Sequence, residues 1–292
     1  MTAVLCALAG AALWGVVWLP LNALERMGVK GLWTTFLVFA SISLASLPFL
    51  IRSCRRGNCP FSRMPTLLLI VFGGLTNLLF FLALTETSVV RALMFFYLSP
   101  IWNLFLGRLV KGHPLTGQKF LVITISLIGA AVLLGLHQSR TFYWNLGDTL
   151  ALGSGLSFAL SVIGLQLSPR TPSWALTVVH WFGAALTALL GLLIWSPPPP
   201  PWAEWVRWLP LLILFAFGMQ ATASLFILFS LTRLESYRVN ILMLFEIIVG
   251  TVTYALWSLD HIQLHEWLGI LLILLASLLD NVNRRQQLAT PL

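Results

Sequence analysis

The sequence predicts an all-α integral membrane protein with ten transmembrane helices. Hydrophobic residues make up 59% of the 292-residue chain and charged residues only 9%, whereas a soluble domain carries about 25% charged residues. The mean hydropathy is +0.91. Ten spans of ~20 apolar residues would use ~200 positions, which leaves only short loops and no room for a soluble domain. The apolar runs are continuous and leucine-rich rather than alternating, which indicates helices and not a β-barrel.

Turn residues between the apolar runs set the bounds of the predicted spans. The first run lacks a basic segment before it and is of span length, so we expect a retained helix and not a cleaved signal peptide. The ten predicted spans are Thr2–Leu24, Leu32–Ile51, Pro65–Leu84, Val89–Leu109, Thr116–Leu136, Leu146–Leu167, Pro172–Trp195, Trp208–Leu231, Tyr237–Ser258 and Leu264–Val282.

The net charge of +8 is interpreted as a signal of membrane orientation. If the N-terminus is cytoplasmic, the even-numbered loops and the C-terminal tail hold most of the Lys and Arg residues. The positive-inside rule therefore predicts an inner-membrane protein with both termini in the cytoplasm. No block of five or more basic residues is present, so we expect no nucleic-acid partner.

Metal ions, cofactors and ATP are not indicated. Cys54 and Cys59 share one basic loop, but a zinc site there would need two more ligands nearby. We therefore expect free thiols and no metal site. No P-loop is present, so the chain by itself does not drive transport with ATP.

The two halves of the chain resemble one another. Leu84–Pro100 aligns without a gap with Leu231–Ile247, which places Ser99 opposite Glu246, and Ala9–Asn22 runs parallel to Leu152–Leu165. Each half has five spans, and because five is odd the second half enters the membrane upside down. We therefore predict a 5+5 inverted-topology repeat, residues 1–140 and 141–292, within one membrane domain. Such repeats place the substrate site near the midplane.

The same segments resemble the drug/metabolite transporter superfamily, in particular its EamA-type ten-helix members. The resemblance is carried by GAALWGVVW in the first span, by ALTETSVVRALMFFYLSPIWNLFLG around the fourth, and by the ninth span with Glu246 at its centre. The family often has Glu-Pro in the ninth span, where this chain has Glu246-Ile247. Within the family the chain looks most like the exporters of aromatic and other amino acids.

Polar and aromatic side chains at membrane depth define the predicted substrate cavity, because lipid offers polar groups no partners. The serines of span six either line this cavity or permit tight helix packing. The two tryptophans of span one either stack on a ligand or face lipid. The predicted cavity residues are Trp14, Trp18, Asn77, Phe81, Met94, Tyr97, Ser99, Ser157, Ser161, Gln220, Ser224, Asn240, Met243 and Glu246.

Glu246 has three open roles, because a carboxylate at membrane depth costs at least ~2.5 kcal/mol. It pairs with a buried group such as His180 or Gln220, binds a substrate ammonium or polar head, or carries a proton. His180 is either a hydrogen-bonding group between helices or a second proton site. Pro100 frees a backbone carbonyl near Phe96 and is either a gate or a passive kink.

Taken together, the residues predict a secondary transporter that works by alternating access, with a cavity lined by spans one, three, four, six, eight and nine. The resemblance implies export of aromatic and other apolar amino acids or similar metabolites. A multidrug or other metabolite exporter is the alternative. An intramembrane enzyme built on Ser154 and His180 is a remote one, so no enzymatic activity is expected. The expected partners are a small-molecule substrate and membrane lipid, with the chain acting as a monomer.

Overall fold

The computed structural model describes residues 1–29, 31–56, 64–87, 89–112, 114–133, 135, 143–168, 171–258 and 263–289, and this part of the chain contains no β-strand. The side chains of Phe81 and Met94, both predicted cavity residues, lie outside the described set. The helices are α1 (Thr2–Gly15), α2 (Trp18–Arg26), α3 (Gly31–Arg55), α4 (Met64–Glu86), α5 (Val89–Phe96), α6 (Ser99–Lys111), α7 (Gly117–Leu133), α8 (Leu146–Gln166), α9 (Ser173–Trp195), α10 (Trp205–Ile213), α11 (Thr222–Leu231), α12 (Ser236–Met243), α13 (Phe245–Ser258) and α14 (Leu264–Ala289).

The predicted all-α membrane class is confirmed, and helix occupies each of the ten predicted spans. Shorter apolar helices cover Pro65–Phe80, Gly117–Leu133 and Leu264–Ala276. Six helical stretches of the described chain are long and apolar enough to cross a membrane, namely Thr2–Arg26, Gly31–Arg55, Leu146–Gln166, Ser173–Trp195, Trp202–Leu231 and Ser236–Trp257.

Three of the ten spans consist of two helices rather than one. Span one breaks between α1 and α2, span four between α5 and α6, and span nine between α12 and α13. Pro20 and Pro100 explain the first two breaks, since a proline ring collides with the carbonyl four residues earlier and cannot donate to it. α5 accordingly ends at Phe96, as predicted from Pro100. Span nine breaks at Leu244 with no proline nearby.

Span eight is continuous but irregular. Between α10 and α11 the chain forms a π-helix over Leu214–Ala221, and π-helical turns often occur at functional sites. The span also begins earlier than the predicted Trp208, because a 3₁₀ turn over Trp202–Glu204 precedes α10. Trp202 stacks edge-on against both Trp33 and Trp208, at 5.8 and 5.6 Å, which holds this start against span two. Span ten extends beyond the predicted Val282 to Ala289.

The contacts between spans follow the same pattern in both halves of the chain. The main contacts made by spans one to five have counterparts made by the spans five places later. Span three packs on spans six and seven, and span eight packs on spans one and two in the same way. Span six contacts both halves of span four, and α1 of span one contacts both halves of span nine. Spans two and seven, four and nine, and five and ten pack against each other. Spans four and nine thus cross between spans one and six.

Small residues bring spans one and six close to the two broken helices. A Cβ added to Gly155 would lie 2.7 Å from the carbonyl oxygen of Phe96, the last residue of α5. A Cβ added to Gly15 would lie 2.6 Å from the carbonyl oxygen of Glu246. Only glycine permits so close an approach to the backbone at these two places.

The predicted free thiol of Cys54 is wrong. Cys54, in the last turn of α3, is disulfide-bonded, while Cys6 in α1 is free. The prediction rested on the redox state expected of a cytoplasmic loop, which carries no information on how closely two cysteines approach. Cys59 lies outside the described residues.

Candidate functional site

Tyr97 and Glu246 face one another where spans four and nine break. Tyr97 directly follows α5, and Glu246 is the second residue of α13. The Tyr97 side chain is 2% exposed, and its hydroxyl is the group directed at the Glu246 carboxyl. The approach falls short of a formed hydrogen bond, since the Tyr97 Oη has no partner of hydrogen-bonding geometry among the described residues. A small movement of either helix would make or separate this contact.

The break in span nine accommodates the carboxyl. It places Glu246 in the first turn of α13, where backbone N–H groups lack intrahelical acceptors and the helix end carries partial positive charge. The salt bridges found in the described part of the chain, Lys119–Glu235 and Arg207–Glu204, do not include Glu246. The Tyr97 hydroxyl is therefore the side-chain group that faces the carboxyl where a counter-ion would be expected.

A second polar layer centres on Ser99, which lies two residues after Tyr97 in span four, and includes Asn240, which lies six residues before Glu246 in span nine. The Asn240 Nδ2 donates to the Ser99 Oγ at 3.4 Å across the two spans. The Asn103 Nδ2 donates to the Ser99 carbonyl oxygen at 3.1 Å within α6. All three residues are 2% exposed. We call Tyr97, Ser99, Asn103, Asn240 and Glu246 the crossing site.

The crossing site contains one residue that the predicted cavity set omitted, Asn103. The sequence held a signal for it, because Asn103 follows Ser99 by four residues and so lies on the same helix face. Pro100 is the second residue of α6, immediately after Ser99, and α5 ends at Phe96, four residues before it.

Aromatic side chains cover the α5 side of the crossing site. Phe96 contacts the rings of Tyr97, Phe80 and Phe158 at centroid distances of 5.4, 5.4 and 5.8 Å. These rings come from spans three, four and six. The polar groups of the crossing site therefore border an apolar, aromatic wall.

The serines of span six divide between the two predicted alternatives. Ser154 donates to the Thr76 carbonyl oxygen of span three at 2.7 Å, so it serves helix packing. Ser161 donates to the Phe158 carbonyl oxygen within its own helix at 2.7 Å. Ser157 is buried and makes no hydrogen bond to the described part of the chain, so its hydroxyl remains available.

Gln220 lies in the π-helical segment of span eight, and Ser224 lies one turn further along, in α11. Both are buried, at 3% and 4% exposure, and neither forms a hydrogen bond within the described residues. Gln220 is therefore not the partner of Glu246. Met243, the last residue of α12, lies in an apolar cluster against which Trp14 packs.

Trp18 begins α2, directly after the break in span one, and contacts the C-terminal half of span nine away from the break at Leu244. Its Nε1 donates to the Thr253 Oγ1 at 3.3 Å, and its ring contacts Tyr254 and Trp257 edge-on at 5.6 and 6.4 Å. It joins two spans at one end of the bundle, next to side chains that are exposed on the protein surface.

Asn77 and His180 belong to the packing of spans two, three and seven. The Asn77 Nδ2 donates to the Gly73 carbonyl oxygen at 3.0 Å. His180 packs against Gly73, where an added Cβ would meet its Nδ1 at 2.5 Å, and against the ring of Phe39 at 6.4 Å. The predicted pairing of His180 with Glu246 is not observed, and Ser154 bonds to a backbone carbonyl rather than to His180.

Comparisons with known proteins agree on the class of protein. The model of the EamA-like transporter family matches residues 1–135 and 145–281. The chain belongs to the EamA-like transporter family. It is 28% identical over 255 residues to an uncharacterized transporter of Archaeoglobus fulgidus, with 86% of each chain covered. A crystal structure of another protein has the same fold, with a TM-score of 0.73, 17% identity and 98% of both chains covered.

As a family member, the chain is a multi-pass membrane transporter. The family model matches both halves, and the gap between the two matched segments lies close to the predicted boundary at residue 140. The family and the named relative point to transport and not to an enzyme.

Proposed function

We propose that this chain is a secondary transporter that exports aromatic and other apolar amino acids, or similar small metabolites, across the cell inner membrane as a monomer by alternating access. The observation that carries the proposal is the crossing site. There, a carboxyl, a tyrosine hydroxyl and two carboxamides meet where spans four and nine both break. In secondary transporters, broken helices near the midplane form the substrate and ion sites.

The two halves of the chain support alternating access. In the register of the predicted repeat, Tyr97 corresponds to Leu244, and these are the residues at which spans four and nine break. The helix packing also keeps its pattern when the halves are exchanged. A 5+5 inverted repeat with its halves at residues 1–140 and 141–292 accounts for both features. The two halves then rock about the crossing site, which opens alternately to each side of the membrane.

The chemistry of the crossing site favours an amino acid with an apolar side chain. Glu246 offers a carboxylate to a substrate ammonium, and the rings of Phe80, Phe96 and Phe158 offer an apolar surface beside it. A site of this kind, mostly apolar with a few polar groups, is typical of small-molecule binding. A multidrug or other metabolite exporter would use the same wall but would not depend on an ammonium group.

The test is flux in proteoliposomes that contain the purified protein, with a panel of labelled amino acids and with and without a pH gradient. We expect aromatic and large apolar amino acids to be carried. Glu246→Gln should lower this flux by roughly tenfold or more, because a hydrogen bond to a charged group is worth about 1.5–3 kcal/mol, and it should change the response to the pH gradient.

The matched control is Glu204→Gln, the same substitution at an exposed surface carboxylate, which should leave flux unchanged. If the Glu246→Gln variant carries substrate at the wild-type rate at every pH, both the ammonium role and the proton role of Glu246 are ruled out. If no amino acid is carried, the substrate class is wrong.

A further inference from the structure

Two buried carboxamides meet at Ser99, and each has an oxygen left over. The Nδ2 atoms of Asn240 and Asn103 donate to the hydroxyl and the carbonyl oxygen of Ser99, at 3.4 and 3.1 Å. These two bonds orient the amides, so the Oδ1 atoms point elsewhere. Neither Oδ1 has a hydrogen-bond partner among the described residues, although both asparagines are only 2% exposed.

Unpaired buried acceptors call for a ligand that brings hydrogens or positive charge. Carboxamide oxygens only accept, and neither oxygen is paired with the nearby buried donors of span four, the Tyr97 hydroxyl and the Trp102 Nε1, which are also without a partner among the described residues. An anion or an apolar group would leave both oxygens unsatisfied. The missing group is therefore a cation or a water molecule.

The electrostatics at this level of the bundle favour the cation. The carbonyl-bearing ends of α5 and α12 at Phe96 and Met243 lie next to the N–H-bearing ends of α6 and α13 at Ser99 and Phe245, so the partial charges of the helix ends largely offset each other and the carboxyl of Glu246 supplies the negative charge. The Glu246 carboxyl lies about 9 Å further along span nine, from six residues at 1.5 Å each. Arg238 is the nearest cation along α12, but two residues correspond to about 200° of helix rotation, so it leaves the helix on the side away from Asn240.

We propose that Ser99, Asn103 and Asn240 bind a single Na⁺ ion. Hard cations take neutral and charged oxygen ligands, and the site provides a hydroxyl oxygen and two carboxamide oxygens. Unwound helix segments coordinate Na⁺ in this way in other transporter folds. The proposal goes beyond the transport function by naming a coupling ion, and it does not depend on which substrate is carried.

The experiment measures thermal unfolding of the purified full-length protein in detergent, with NaCl replaced stepwise by choline chloride at constant ionic strength. A ligand that binds only the folded state raises the unfolding midpoint with its concentration. We expect a saturable rise with Na⁺ of roughly 3 °C at ten times the dissociation constant. Asn103→Leu and Asn240→Leu, which remove the oxygens and keep the volume, should abolish the rise.

The matched control is Ser126→Ala, which removes a buried hydroxyl of span five bonded to the Val122 carbonyl oxygen, and it should keep the rise. Equal midpoints in NaCl and choline chloride would mean a bound water only and would overturn the proposal, as would a Na⁺ response that persists in both leucine variants. If those variants do not fold, Asn240→Asp decides, because an added carboxylate must lower the Na⁺ concentration at half-maximal effect several-fold. Flux measured in NaCl tests the transport proposal separately, because it does not depend on whether Na⁺ raises the unfolding midpoint.

Discussion

The carboxyl of Glu246 lies half-buried near the middle of a membrane span, and the structure shows what surrounds it. It occupies the first turn of α13 and faces the Tyr97 hydroxyl, while no salt bridge to it occurs in the described chain. A fixed cation would neutralise the carboxylate permanently. A hydroxyl offsets only part of the desolvation cost, which is why the proposed function gives the carboxylate an ammonium group or a proton to bind.

At the residue scale, Tyr97→Phe tests whether the hydroxyl acts through Glu246. The buried ring stays in place, so folding should be preserved, and flux should fall several-fold because a charged group loses a donor. The same substitution in the Glu246→Gln background should have little further effect, since the two residues share one interaction. Flux measured for the double-mutant cycle in proteoliposomes gives the coupling.

Tyr143→Phe serves as the control, because Tyr143 is 75% exposed and is remote in sequence from the breaks in spans four and nine. Additive losses in the double variant would show that Tyr97 and Glu246 act independently.

At the scale of helices, the breaks and the close contacts depend on a few small or cyclic residues. Pro20 and Pro100 end helices locally, whereas Leu244 ends one without a proline. Gly15 and Gly155 let spans one and six approach the backbone at the breaks in spans nine and four. In the proposed alternating access, these glycines leave no bulky side chain between the helices that would move.

Gly183→Ala tests how tightly such contacts are packed. A Cβ at Gly183 in α9 would lie 2.3 Å from the Ile70 carbonyl oxygen of span three, and the backbone must shift to accept it. Overpacking of this kind costs about 1–3 kcal/mol, so the unfolding midpoint in detergent should fall by several degrees. Gly117→Ala is the matched control, since nothing lies within 4 Å of its added Cβ, and an equal loss there would contradict this account.

At the scale of the whole molecule, spans four and nine cross between spans one and six, and spans five and ten form a pair beside them. One end of the bundle is tied by polar contacts. Lys119 of span five pairs with Glu235 at 2.5 Å, Gln166 of span six donates to Ser236, and Ser230 donates to the Ala3 carbonyl oxygen at 2.8 Å. All of these residues lie on the side that the positive-inside rule assigns to the cytoplasm.

The orientation is tested with fusions to the C-terminus. With both termini cytoplasmic, a fluorescent protein that matures only in the cytoplasm should light up, and a phosphatase that is active only outside should stay inactive. The control fuses the same reporters after Trp202, on the opposite side, where the results should be reversed. An active phosphatase at the C-terminus would show that the predicted orientation of the chain is the wrong way round.

Composition and pattern predicted the class of this protein, the ten spans, the break at Phe96 and several members of the crossing site, including Tyr97, Ser99, Asn240 and Glu246. They could not assign partners. One of the three roles left open for Glu246 paired it with His180 or Gln220, but His180 packs against Gly73 and Phe39. The helices are apolar on nearly every side, so the sequence contains little information about which face of each helix turns towards which neighbour.

By itself, the sequence determined the membrane class, the span count and the disturbance of span four at Pro100, because bilayer thickness and proline stereochemistry act on short stretches of chain. Only the tertiary structure decided that span nine breaks at Leu244, that Glu246 faces Tyr97, and that Asn103 and Asn240 meet at Ser99. These depend on the register and rotation of helices far apart in the chain, which are set by side-chain packing between them.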